Sequence, residues 1–239
     1  MYIPKNTLLR DESKKILSDE GLDQLMNELK SLPTGIQRLN TILSPVYMSK
    51  RLYTYLTFPG SGKSQILLKA AFDIRKYNII LQTKDPDKRP AVLFITMENS
   101  IDEMIQMLKK LKEDDEIQLT DKYNIDIIIK YYDNIGIDTN DLRGIINDLS
   151  DDGVETVALI VDCITKLKPV EKAISEKEVI KNISNELKTL ATIEDIPVIT
   201  AQQLLNRAAA SVVDAALQNN KEDVTRMNGR EDVIMLREW

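Results

Sequence analysis

The chain has 239 residues, and its 43% hydrophobic content is enough to bury the core of one domain with a small appendage. Its 32 basic and 38 acidic residues give a net charge of −6, which excludes a global positive field that would draw it to nucleic acid or anionic lipid. The single cysteine, Cys163, and the absence of histidine exclude an internal disulfide framework, a multi-cysteine zinc site and a histidine base.

The first predicted element is an amphipathic helix over residues 18–32. Leu22, Leu25, Met26 and Leu29 make an apolar stripe on it, and Pro33 ends it. The residues before it lack an apolar signal core, and no apolar run in the chain approaches the ~20 residues that cross a bilayer. We therefore expect a cytoplasmic protein with an N-terminal region, 1–32, separate from a main domain, 33–239.

Short apolar runs then alternate with longer segments of helical period. Strands are predicted at 52–57, 91–97, 125–132, 156–162 and 196–201, and helices at 64–77, 101–112, 140–149 and 178–193. This alternation is typical of a parallel sheet with crossover helices on its faces, so the predicted fold class is α/β.

Between the first strand and its helix lies "LTFPGSGKSQ", which nearly matches the phosphate-binding motif G-x-x-x-x-G-K-[ST]. Thr57 stands where the motif has its first glycine. Gly60 and Gly62 allow the backbone to turn its N–H groups around a phosphate, Lys63 is expected to contact the β and γ oxygens, and Ser64 to bind Mg²⁺. The other loop residues predicted to contact ATP are Pro59, Ser61 and Gln65. Thr57 lies at the strand end, away from the γ-phosphate, where it should cost little.

Two carboxylates follow apolar runs at predicted strand ends. Asp162 ends "TVALIVD" and is a candidate for holding the metal; Glu98 follows "AVLFITM" and is a candidate base for the attacking water. Each has a plainer alternative, because a carboxylate at such a place also caps a turn or a helix. The run "IPVITAQQ" ends in two amides, Gln202 and Gln203, either of which is placed to contact a γ-phosphate.

The blocks "PTGIQRLN", "FPGSGKS", "LFITMEN", "ALIVDC" and "NELKTLATIEDIPVITAQQLLNR" resemble the RecA-type ATPase core of DnaB-family replicative hexameric helicases, including phage members. The resemblance covers residues 33–239 and implies a RecA-like P-loop fold that hydrolyses ATP with Mg²⁺. It implies that Glu98 activates water, that Asp162 holds Mg²⁺ and that a glutamine senses phosphate. Counting without a gap from Pro197 assigns that glutamine to Gln203. The family also tolerates a residue other than glycine at the start of its loop.

The resemblance further implies a hexameric ring in a bacterial cell or phage-infected host, with primase or a loader as possible partners. In that family an N-terminal helix docks on the next subunit, and single-stranded DNA passes through a central channel. DNA-binding residues are then expected after the fourth and fifth strands, at Lys166, Lys168, Arg207 and Arg226. Departures are the missing N-terminal primase-interacting domain and an end near "LREW", before the family's last strands and arginine finger. A complementary C-terminal chain is one expectation that follows.

Two other functions stay open on the sequence. One is a recombinase-like or circadian-type RecA relative, although the "ELKTLA" and "QLLNR" blocks weigh against it. The other is a non-catalytic ATP-binding regulator or fragment that needs a partner chain. ATPase activity with and without single-stranded DNA separates them.

Overall fold

A computed structural model describes residues 31–32, 34, 47–58, 60–78, 83–113, 124–132, 136–203 and 231–235. The chain divides into two compact units, Met1–Ser31 and Leu32–Trp239, and the main sheet and the helices described below belong to the second. Most of the predicted N-terminal helix, with its stripe Leu22, Leu25, Met26 and Leu29, lies outside the described residues. The structure corrects the last two residues of that prediction, because Ser31–Leu32 is a short strand paired with Tyr47–Met48. The residue before a proline disfavours the helical conformation, which accounts for the extended backbone of Leu32.

The main unit contains a six-stranded parallel sheet. Its strands are β1, Leu52–Thr57; β2, Arg89–Thr96; β3, Asp126–Tyr131; β4, Val154–Asp162; β5, Val198–Gln203; and β6, Glu231–Met235. Their order across the sheet is β3-β2-β4-β5-β1-β6. Every carboxyl end therefore points to the same edge, where the ligands of open α/β sheets bind. The predicted α/β fold class is confirmed.

Within the described ranges, four helices connect the strands as crossovers. They are α1, Lys63–Tyr77; α2, Ile101–Glu113; α3, Thr139–Asp151; and α4, Glu176–Glu194. Asp138 caps α3 by accepting bonds from two backbone N–H groups of the first turn, and Ser175 caps α4 by accepting from the N–H of Glu178. These caps start both helices one or two residues before the predicted positions.

The helices cover both faces of the sheet, which is why the strands are apolar on both sides. One core layer joins α1 and α2 to alternate strand residues, among them Tyr55, Phe94 and Ile160. The other joins α3 and α4 to the intervening residues, such as Leu93 and Val161. Side chains alternate along a strand, so Asp162, two residues after Ile160, lies on the face that α1 covers.

Some strand boundaries differ from the prediction. The fifth strand was expected at 196–201 but runs over Val198–Gln203, because Pro197 has no N–H for a ladder bond and both glutamines continue the pairing with β1. Strand β6 was not predicted: "EDVIM" opens with two charged residues and shows no clear alternation. Parallel pairing with β1 places it at the edge of the sheet. In the described part of the chain, no helix combines the length and apolar character needed to span a membrane.

Candidate functional site

The loop between β1 and α1 has the backbone that an anion site needs. Gly60 and Gly62 have φ of 77° and 76°, and a side chain at Gly60 would meet no atom within 4 Å. Gly60 is therefore required by its backbone conformation and not by crowding. The Ser61 hydroxyl donates to the carbonyl of Phe58 at 2.7 Å, which holds the turn closed. Pro59 lies outside the described residues.

The start of α1 completes this loop. The N–H of Ile66 bonds to the carbonyl of Gly62, while helix geometry leaves the N–H groups of Lys63, Ser64 and Gln65 without carbonyl partners in the helix. No acidic residue lies in this first turn. The helix end is thus suited to an anion such as a phosphate.

Thr57, which replaces the first glycine of the motif, is the last residue of β1 and lies in register with Gln203. It is 2% exposed, and its hydroxyl lies 3.5 Å from the carbonyl of Gln202, to which it donates. Among the described non-glycine residues, only Lys50 and Asp195 have positive φ. Thr57 therefore sits in regular strand backbone, where glycine is not required.

Lys63 brings the two predicted carboxylates together. Its Nζ donates to Oε2 of Glu98 in an ion pair, and it lies 3.8 Å from Oδ1 of Asp162. Thr96 of β2 is in register with Asp162, so Glu98, two residues beyond Thr96, emerges beside Asp162 at the carboxyl edge. Three residues from separate segments of the chain thus meet over the loop.

Asn99 was not predicted as a site residue. Its Nδ2 donates to Oγ of Ser64 at 2.8 Å and to Oδ2 of Asp162 at 3.1 Å. The signal that could have identified it is its position directly after Glu98, in the turn between β2 and α2. A carboxamide there is able to reach both neighbouring segments.

Cys163 was also not predicted to take part. Its thiol lies 3.3 Å from Oε1 of Glu98, to which it donates, and 2.9 Å from the hydroxyl of Thr165. The peptide bond between Asp162 and Cys163 is cis. Glu98 is therefore held at both oxygens, by Lys63 on one side and by the thiol on the other.

The ionisation of the site follows from these contacts. Burial alone lowers the pKa of Lys63, but the hydrogen bond to Glu98 and the nearby Cys163 and Asp162 raise it overall. Burial alone raises the pKa of Glu98, but the hydrogen bond and charge of Lys63 lower it overall. Burial raises the pKa of Asp162 more than Ser64, Lys63 and Asn99 lower it. Burial likewise raises the pKa of the Cys163 thiol.

Ser64 and Asp162 have the chemistry of a Mg²⁺ site. Asp162 is 0% exposed, and its Oδ1 is buried without a hydrogen-bond donor, the condition of an oxygen that a cation would satisfy. Hydroxyl and carboxylate oxygens are the ligands that Mg²⁺ prefers. Ligand atoms of Glu98, Asp162 and Cys163 lie within 4.8 Å of one another, so further donors surround the same point.

The remaining predicted residues lie around this centre or beyond the described part. Gln203 is exposed at the end of β5 and shares the α1 face of the sheet with Ala201, whereas Gln202 lies on the opposite face. Lys166 is exposed in the 3₁₀ turn Ile164–Lys166 directly after β4. Lys168 donates its N–H to the carbonyl of Ile137, and its side chain lies against Gly136. Arg207 and Arg226 lie outside the described residues.

Comparisons with known proteins find relatives for most of the chain. A family model described as the DnaB-like helicase C terminal domain matches residues 31–216. A solved DnaB-like replicative helicase, described with its interactions with primase, superposes with a TM-score of 0.54 at 19% identity over 89% of this chain and 52% of that one. A second solved structure, described as an ATPase domain, superposes with a TM-score of 0.56 at 19% identity over 88% of this chain and 75% of that one.

At this level of identity the likeness to solved structures establishes the fold alone, and that fold is the RecA-like core expected from the sequence. The chain spans about half the length of the first structure and three quarters of the second. No curated protein matches the sequence.

Proposed function

This chain belongs to the family of DnaB-like helicase C-terminal domains, and from that premise we propose that it is the ATPase core of a DNA helicase. In this proposal it hydrolyses ATP with Mg²⁺ and moves along single-stranded DNA during replication. The observation that carries the proposal is the meeting of Lys63, Glu98 and Asp162 over the glycine loop. A phosphate loop alone does not hydrolyse ATP, because it also needs a metal-holding carboxylate and a base.

Nucleotide binding falls to the loop in this proposal. Gly60 and Gly62 shape it, and the N–H groups that open α1 cradle the phosphates. Ser61 and Gln65 complete its wall, and Pro59 is also proposed to contact ATP. The ammonium of Lys63 leaves Glu98 and donates to the β and γ oxygens instead, because the negative charge of a triphosphate competes with a single carboxylate. Binding of ATP therefore releases Glu98 from its ion pair.

The chemical step then uses the released carboxylate. A water oxygen attacks the γ-phosphorus, its proton goes to Glu98, and the bond from that phosphorus to the bridging oxygen of ADP breaks. Ser64 and Asp162 would hold Mg²⁺, which when bound neutralises charge on the phosphate oxygens. A glutamate carboxyl is ionised at neutral pH, so the released Glu98 is able to accept the proton.

Gln203 is proposed to detect the γ-phosphate. It ends a strand that pairs directly with β1, and it lies beside Thr57 at the entrance of the loop. Loss of a hydrogen bond from its carboxamide would therefore be felt by the segment that follows β5. This is how we propose that hydrolysis is coupled to movement on DNA.

Contact with DNA is proposed for Lys166 and Lys168 after β4 and for Arg207 and Arg226 after β5. The sequence around these four residues contains no aromatic side chain, so base stacking is not available and phosphate contact is the better account. Lys166 supports the proposal because it is exposed and only four residues beyond Asp162. A positive potential confined to one channel is compatible with the net negative charge of the chain.

We propose that the working unit is a hexameric ring, in which the residues before Ser31 dock on the next subunit and the rest of the chain forms the ATPase core. The family and the solved relative described with primase support a primase or loader as partner. In such a ring, a neighbouring subunit would add a cationic finger to the site. A replication helicase works where bacterial or phage DNA is copied, which is the cytoplasm.

The test is steady-state ATPase of the purified chain with and without single-stranded DNA, each in Mg²⁺ and in EDTA. We expect Mg²⁺-dependent turnover that rises with DNA under conditions where a ring forms. A chain that binds ATP without turnover in the assembled state would instead be a regulatory ATP-binding protein. A chain that binds no nucleotide would overturn the proposal.

A further inference from the structure

We infer that Asn99 is a positioning residue that fixes Ser64 and Asp162, the two proposed Mg²⁺ ligands, relative to each other. The inference rests on the proposed ATPase function and extends it to a residue outside the phosphate loop and outside the pair of acidic residues. It is carried by two hydrogen bonds from one side chain to two segments far apart in sequence.

The geometry uses the full donor capacity of the carboxamide. A primary amide nitrogen has two hydrogens, and here one goes to Oγ of Ser64 at 2.8 Å and the other to Oδ2 of Asp162 at 3.1 Å. A carboxylate oxygen accepts hydrogen bonds, so it is the nitrogen of Asn99, and not its oxygen, that faces Asp162. Both acceptors are thereby bound to the same nitrogen.

These bonds leave suitable oxygen lone pairs for a cation. The Ser64 hydroxyl has two lone pairs, and the bond from Asn99 occupies one of them. Asp162 receives Asn99 at Oδ2, while its buried Oδ1 has no hydrogen-bond donor and points to the region of Lys63. One hydroxyl oxygen and one carboxylate oxygen would therefore remain available to a cation such as Mg²⁺.

Asn99 is itself anchored. Its backbone N–H donates to the hydroxyl of Thr96 at 3.3 Å, and Thr96 is a 0% exposed residue in register with Asp162. The turn that presents Asn99 is thus tied to the end of β2. A side chain on such a rigid support is able to position its partners and does not merely follow them.

The neighbouring Glu98 does a different task from the same turn. Its carboxylate contacts Lys63 and Cys163, whereas Asn99 contacts Ser64 and Asp162. Consecutive residues thus serve the proposed base and the proposed metal ligands separately. Changing Asn99 should therefore affect Mg²⁺ dependence without removing the base.

The experiment compares the full-length wild type with Asn99→Ala and with Asn99→Leu, which keeps most of the volume but has no donor. Ser100→Ala is the matched control, since Ser100 lies in the same turn and its hydroxyl bonds with Glu103 at the start of α2. Binding of a fluorescent ATP analogue is measured in EDTA and across a Mg²⁺ titration. Mn²⁺ binding in the presence of ADP is measured by electron paramagnetic resonance, and Tm is recorded for each protein.

For both Asn99 variants we expect wild-type nucleotide affinity in EDTA and about tenfold more Mg²⁺ or Mn²⁺ for half-saturation, the lower end of the range for lost outer-sphere partners. Tm should fall by a few degrees, because the buried carboxylate of Asp162 loses one donor. Ser100→Ala should keep the wild-type metal dependence. Wild-type metal dependence in both Asn99 variants would overturn the positioning role and leave the proposed function standing. A loss of nucleotide affinity in EDTA as large as the loss in Mg²⁺ would also overturn it, by assigning Asn99 to folding alone. A wild type that binds no nucleotide would overturn both proposals.

Discussion

The ammonium of Lys63 and the carboxylate of Glu98 form an ion pair across the mouth of the glycine loop, with Lys63 donating to Oε2. Both groups have proposed duties toward ATP, and in this pairing neither is free to perform them. Under the proposed function, the phosphates of an incoming nucleotide compete with Glu98 for the ammonium of Lys63.

Replacing Lys63 with alanine removes a charge-assisted contact of roughly 1.5–3 kcal/mol to the nucleotide. We expect ATP affinity to fall about tenfold or more, since ~1.4 kcal/mol corresponds to one decade. The control is Lys76→Ala, in the last turn of the same helix, where Lys76 lies over the ring of Tyr77. Calorimetric titration checks both variants, and equal affinities for them would remove Lys63 from the site.

Replacing Asp162 with asparagine should stabilise the nucleotide-free protein while weakening its use of Mg²⁺. The pKa of Asp162 is raised by burial, so ionisation costs the folded state stability, and that cost grows as pH rises through the raised pKa. An asparagine carries no charge and still accepts the bond from Asn99. At neutral pH we expect Tm to rise by a few degrees, about 2–4 °C per kcal/mol for a domain of this size.

The gain in Tm for Asp162→Asn should shrink as pH falls, because wild-type Asp162 then becomes protonated and no longer carries a buried charge that destabilises the fold. Asp151→Asn, at the exposed end of α3, is the control and should leave Tm nearly unchanged. Thermal melts from acid to neutral pH without Mg²⁺ measure both. A lower Tm for Asp162→Asn at neutral pH would show that the carboxylate stabilises the fold.

Replacing Lys166 and Lys168 together by alanine should weaken binding to single-stranded DNA and flatten its salt dependence. Two lost phosphate contacts reduce the log–log slope by about 1.4, at ~0.7 per contact on single strands. The exposed pair Lys109 and Lys110 on α2, also changed to alanine, is the control. Fluorescence anisotropy over a salt series gives the slopes, and an unchanged slope would assign the two lysines to solvated surface.

Removing residues 1–30 should abolish higher oligomers and leave a nucleotide-binding monomer. The cut keeps Ser31–Leu32, whose strand pairs with Tyr47–Met48 and whose Leu32 is 2% exposed in the core. The physical reason is the predicted apolar stripe, which a head-to-tail neighbour would cover in a ring. Sedimentation with ATP analogue, Mg²⁺ and oligonucleotide compares the two chains. A shortened chain that still forms higher oligomers would place the subunit interface elsewhere.

The sequence predicted the α/β fold because its signals are local. Apolar runs such as "ALIVD" and the glycine loop each lie within a few residues, and the position of Asp162 at the end of its run is enough to place it at the carboxyl edge of the sheet. Pairing between segments far apart in the chain was harder to predict from the sequence. Strand β6 has no strong pattern of its own and is defined by its place against Leu52–Thr57.

The same distinction holds for the candidate site. Lys63, Ser64, Glu98 and Asp162 were predicted because each stands at a motif or a strand end, and the structure brings them together. Asn99 and Cys163 were missed, because their importance comes from partners 35 to 65 residues away in sequence. No local pattern marks an amide or a thiol for such contacts.

The most direct test of the central claim, that Lys63, Glu98 and Asp162 form an ATP-hydrolysing centre, is single-turnover hydrolysis by Glu98→Gln beside the wild type. Glutamine keeps the shape of Glu98 but cannot accept the proton of the attacking water. We predict ATP binding at least as tight as in the wild type and a rate lower by about 10²–10⁴-fold. Glu113→Gln, at the exposed end of α2, should hydrolyse like the wild type. A wild-type rate for Glu98→Gln in an assembly that is itself active would contradict the account.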